Sequence, residues 1–174
     1  MKPFKRILAG LALAFVTALS FAPQVQAQAL TDYAENRLVD AIFRGQTLGA
    51  PATFYVALFT TACSDSAAGT EVSTSGTGYA RAAVASSLAN WAGTQSAGST
   101  TASSGTGGQT SNNSTITIGS ATTTSWGSVS HFGLFDASTA GNMWVCQALT
   151  TAKTINAGDA LPSFNAGALT ITFQ

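Results

Sequence analysis

Charge is what this sequence has least of. Its 174 residues carry 7 Lys or Arg, 7 Asp or Glu and one histidine. So few basic residues exclude a nucleic-acid footprint, which depends on clustered Lys and Arg to neutralise phosphates. One histidine and two cysteines far apart in the chain, Cys63 and Cys146, offer none of the zinc-ligand spacings. Asp65 and Glu71 lie in a polar stretch without a calcium-loop pattern. The 17 glycines sit among Ser and Thr rather than in a phosphate-cradling motif. The residues therefore predict no metal, no cofactor and no nucleic-acid partner.

What is present begins with a three-part N-terminus. Lys2, Lys5 and Arg6 form a cationic head, residues 7–21 are uncharged and mostly apolar, and small residues follow as far as Ala27 and Ala29. That is the layout of a secretory signal peptide cleaved after Ala27 or Ala29, and the apolar run is too short for a comfortable membrane anchor. The expectation is a protein exported through the periplasm to the cell surface or medium, with no membrane span after cleavage. Removing the three N-terminal cations leaves 4 basic against 7 acidic side chains, a formal net of −3. The mature surface must then consist largely of Ser, Thr, Asn, Gln and Gly, with little self-repulsion to oppose close packing of copies. In an oxidising compartment Cys63 and Cys146 either bridge the fold or remain separately buried thiols; sequence leaves both open.

The mature chain, residues 30–174, reads as one domain. Its only helical pattern is 32–44: Asp32 is placed to cap it, Glu35 completes a capping-box spacing, and Gly45 supplies a left-handed stop. Ala34, Leu38, Ala41 and Ile42 share a face. Strand patterns follow at 54–61, at 79–86 with Arg81 toward solvent, and at 114–119 with Ile116 and Ile118 together. Residues 128–136 and 142–150 flank the polar turn ASTAG as a hairpin. A brief strand and turn at 153–159 and a last strand at 167–174, with Leu169, Ile171 and Phe173 on one side, complete the set. About seven short strands predict an all-β fold, an antiparallel β-sandwich of jelly-roll or Ig-like type, with one N-terminal α-helix. The stretch 94–113 is almost wholly Gly, Ser, Thr, Asn and Gln, and reads as a mobile surface loop. Residues 64–78 read as a shorter loop of the same kind.

The hairpin holds the one histidine, His131, with Asp136 and Cys146 nearby in sequence. On a strand, His131 and Asp136 point to opposite faces, and nothing supplies the third group that would orient a catalytic base. Asp136 instead sits where it can bond turn backbone. The hairpin reading is structural, and the chain is predicted not to be an enzyme.

The segments ALTDYAENRLVDAIFRG, FYVALFTT, GYARAAV, STITIG and GALTITF, and above all WGSVSHFGLFDASTAGNMWVCQALTTAKTINAGD, together resemble small phage tail-fibre proteins over residues 29–174. The resemblance implies a β-rich, non-catalytic virion component, and carries over no defined site. An export signal departs from that family, whose members assemble inside the cell; a phage-like module exported to build a surface fibre reconciles the two. The ending GALTITFQ is also similar to the last strand of chaperone–usher pilins, which polymerise by strand donation. An outer-membrane barrel ranks behind both, because most strands here are too short and lack aromatic girdles. The expected partner is therefore the protein itself, through Leu38 and Ile42 on the helix or Leu169, Ile171 and Phe173 on the last strand. The alternative is a monomeric binding module presenting its polar loops to a surface receptor or glycan. Intact-mass measurement of the secreted protein should give a species beginning at residue 28 or 30; one that retains Met1 overturns the export reading.

Overall fold

Residues 53–59, TFYVALF, alternate large apolar side chains on both faces of an extended chain, so the strand they form must be covered on both sides. It is one of the two inner strands of the main sheet. The computed structural model describes residues 30–93, 101–104 and 107–173. The expected signal segment with Ala27 and Ala29, and positions 94–100 and 105–106 of the polar loop, lie outside the described residues.

One helix, α1 (Asp32–Phe43), precedes eight strands: β1 (Thr53–Phe59), β2 (Ala82–Ala85), β3 (Gln109–Ser111), β4 (Ile116–Thr117), β5 (Gly127–Phe135), β6 (Met143–Ile155), β7 (Ser163–Phe164) and β8 (Thr170–Thr172). Four of them form an antiparallel sheet in the order β2-β1-β5-β6. The rest pair as two short antiparallel ladders, β3 with β8 and β4 with β7. Over the described residues the fold is all-β with a single helix, as expected.

In β1, Val56 and Leu58 lie opposite Leu134 and Phe132 of β5, and all four face one core. Ile116, Ile118, Leu169 and Ile171 enter the same core from the ladders, so the ladders form a second layer over this face of the sheet. On the opposite face Ala57, Phe59, Phe135, Met143 and Cys146 form a smaller cluster. Gly133 is required there: a Cβ at that position would sit 2.8 Å from the Phe59 ring. Cys63, in the loop after β1, is bonded to Cys146 with Cα atoms 5.9 Å apart. The cysteines thus pair, clamping that loop over the second cluster. Closing a loop of 83 residues is worth on the order of 4–5 kcal/mol in the chain-entropy account. The hairpin β5–β6 is present, and the register shift between Leu134 and Phe135 makes Trp144 an extra residue, so that it and the adjacent Val145 both serve the larger core.

Several expectations need correction. The helix is capped by Thr31, not Asp32. The Thr31 hydroxyl accepts from the Ala34 amide at 3.4 Å and donates to the Met143 carbonyl, while the Asp32 amide is committed to the Asp65 carbonyl at 3.0 Å. The residues 153–155 belong to β6 rather than to a separate strand. The last strand is shorter than 167–174, and β3 occupies one of its edges.

The end of the supposed mobile loop is core. Asn112 is fully buried, with its amide nitrogen among the carbonyls of Ser114, Phe164 and Asn165 at 2.8–3.2 Å. Its Oδ1 accepts from the Leu169 amide at 2.8 Å. One side chain thereby satisfies the irregular backbone between β3, β7 and β8, which no ladder reaches. Asn112→Ala leaves those buried groups unpaired and should lower unfolding free energy by about 3–5 kcal/mol. Denaturant titration with the disulfide intact measures it; a loss below about 1 kcal/mol would show that water can replace the amide.

Candidate assembly surface

Only the first half of α1 is seated on the domain. Ala34 is fully buried, and the Tyr33 ring meets Trp144 edge to face at 5.4 Å. Trp144 meets Phe54 at 6.1 Å, and Phe54 meets Trp91 at 6.4 Å, so a row of four aromatic rings runs from the helix across the end of the sheet. Beyond this anchor Leu38 is half-buried, but Val39, Ile42 and Phe43 project outward, Ile42 67% and Phe43 80% exposed. They stand at i, i+3 and i+4, the spacing by which a helix presents one stripe to a partner. Ile42 was expected on this surface. Val39 and Phe43 were missed, because the sequence pattern was centred on the face of Ala34 and Ala41, which turns toward the domain.

The C-terminal strand is different. Leu169 and Ile171 are buried in the domain's own core, so they are not an assembly surface; only Phe173 is exposed. Phe173 borders a slot of about 450 Å³ whose walls include Phe54, Leu88, Trp91, Thr110 and Ile171. The described residues lining it include no ionisable or amide side chain. Leu88 is exposed at its rim, and sequence reasoning gave no sign of it, since it lies in a polar turn after β2. The outer edge of β6 is a third candidate. It is blunted by Lys153 and by the register shift between Val129 and His131, devices that discourage strand addition.

Among the described residues His131 and Asp136 make separate local contacts. His131 Nδ1 is 2.9 Å from the Ser130 hydroxyl. Asp136 accepts from the backbone and side-chain amides of Asn142 at 2.7 and 2.9 Å, which closes the hairpin turn. Burial pushes the Asp136 carboxyl up, but the Asn142 bonds outweigh it and hold the group below its usual range. Cys146 is not a thiol. Among the described residues no three His, Cys, Asp or Glu side chains cluster as metal ligands, and no helix is long and apolar enough to cross a membrane.

Arg81, expected at the solvent, is instead pinned inside, its side chain only 6% exposed. Its guanidinium makes two bonds to Glu71 (2.7 and 2.8 Å) and donates to the Ala137 and Ala140 carbonyls of the hairpin turn. It also lies 3.7 Å above the Phe135 ring. The Tyr79 hydroxyl donates to Glu71 and accepts from the Leu58 amide. Burial drives the Tyr79 phenol well above its ordinary range, with the Glu71 carboxylate adding to the effect. This network ties the 60–81 connection to the hairpin and engages Glu71, Tyr79 and Arg81 together. Arg81→Ala strands the Glu71 carboxylate and the Ala137 and Ala140 carbonyls, so it should destabilise by about 3–5 kcal/mol, and Arg81→Lys by less because one ammonium cannot span both partners. Denaturation of both variants checks the order; equal losses would mean that the fork geometry contributes nothing.

No curated protein matches the chain. Among protein families, residues 29–172 match the Podophage GP4 fiber I protein gp80. The match spans the helix, every strand and both halves of the disulfide. This charge-poor β domain therefore belongs to the podophage GP4 fiber I protein gp80 family of phage fibre structural proteins.

Proposed function

We propose that the protein is a non-enzymatic structural subunit, exported and assembled from copies of itself into an extracellular fibre or surface appendage. The observation that carries this reading is the free end of α1, where Val39, Ile42 and Phe43 leave a fibre-family domain with an unpartnered apolar stripe. A monomer gains nothing from that exposure: each such side chain is worth roughly 1.5–3 kcal/mol when fully removed from water. The N-terminal signal pattern supports export, and the low charge permits close subunit packing. The buried side chains of β8 argue against assembly by donation of the last strand, because withdrawing it would open the core.

Purified mature protein should form high-mass species by light scattering and fibres by electron microscopy. The double variant Ile42→Ser, Phe43→Ser should remain monomeric with unfolding free energy within about 0.5 kcal/mol of the parent, since both residues are exposed. Parent protein that stays monomeric at high concentration, with no fibres on cells producing it, rejects self-assembly. It would leave the loop-displaying binding module as the better account.

A further inference from the structure

The helix end and the slot are complementary features of one chain, and we propose that the slot formed by Phe54, Leu88, Trp91 and Phe173 receives the Val39–Ile42–Phe43 stripe of a second copy. This rests on the self-assembly reading and adds the surface that accepts the helix. Size fits: about 450 Å³ holds roughly two or three large apolar side chains at interior packing density. Chemistry fits as well. The described lining has aliphatic and aromatic walls with hydroxyl residues Ser86, Ser87, Thr101, Ser103 and Thr110, and includes no carboxylate, carboxamide or guanidinium side chain. An apolar occupant is thus favoured over a glycan.

One further detail points to a helix end: the stripe itself has the i, i+3, i+4 anchor spacing of a helix laid in a groove. The charges at the helix end do not obstruct entry, because Arg44 is paired with Asp40 at 3.3 Å. Knob and slot are different patches of the chain, so the contact is heterologous; repeated without closure, it makes a fibre.

Paired cysteine variants of the full mature protein test this directly, since the native cysteines are already bonded to each other. Gln46→Cys lies just past the stripe and Ser87→Cys on the slot wall. Mixed and oxidised, the two variants should form a cross-linked pair as the main product, and neither alone should. Adding Phe43→Ser to the first variant should reduce that product at least tenfold. Leu88→Glu, added in small proportion to parent protein, should shorten fibres, because such a copy still donates its helix but cannot accept one. Fibres in which Gln46→Cys cross-links only to itself, or in which cross-linking survives Phe43→Ser, overturn the slot while leaving self-assembly intact. So does native mass spectrometry that finds an acyl chain, or an uncleaved N-terminal segment, holding the slot in fibres that still grow. Parent protein that never assembles removes both readings.

Discussion

Everything else in this domain hangs on the pairing of β1 with β5. It aligns Val56 with Leu134 and Leu58 with Phe132, and is buried on both faces. A strand covered on two sides cannot slip by one residue, because every side chain would exchange one core for the other. The larger core then requires a second layer, which the β3–β8 and β4–β7 ladders provide. The smaller one requires a cover, which the disulfide-clamped loop provides. Gly133 marks how tight the second face is, since Phe59 occupies the space a side chain would need.

The ladders of the second layer are only two or three residues long. Such short strands cannot satisfy the backbone around them, and side chains take over. Asn112 does this for the turn before β8, and Arg81 does it for the turn between β5 and β6. In a chain with so few charges, one buried arginine serves as a molecular staple with Glu71, rather than as a surface charge. The same economy commits these ionisable residues to local structure. Asp136 and Glu71 spend their oxygens on Asn142 and on Arg81 and Tyr79.

Stabilising contacts and exposed apolar surface are separated within the molecule. Polar staples and the disulfide hold the domain at its β5–β6 turn and its outer face. The apolar material left over is concentrated at the other features, the free end of α1 and the slot beside Phe173. Helix α1 is attached through its first turns alone, by the Thr31 cap and the Tyr33–Trp144 contact. Its last turns consequently project without loosening the fold.

Sequence by itself determined the elements whose cause is local. The helix was legible from its apolar spacing and the Gly45 stop, though not its cap, the hairpin from two apolar runs around ASTAG, and Ile116 with Ile118 from strict alternation. The tertiary structure decided what depended on distant partners. Arg81 was misplaced because alternation assigns a face but cannot reveal that the opposite face is also covered. Asn112 was hidden in a Ser/Thr/Gly-rich run because the groups it serves lie at 164, 165 and 169, over fifty residues away. Leu169 and Ile171 were correctly read as one apolar face, yet whether that face met a neighbour or its own core turned on β3. Cys63 and Cys146 could pair only once the loop after β1 had folded back over β6. Local chain geometry is written in a few adjacent residues; burial is a property of what the rest of the chain brings to them.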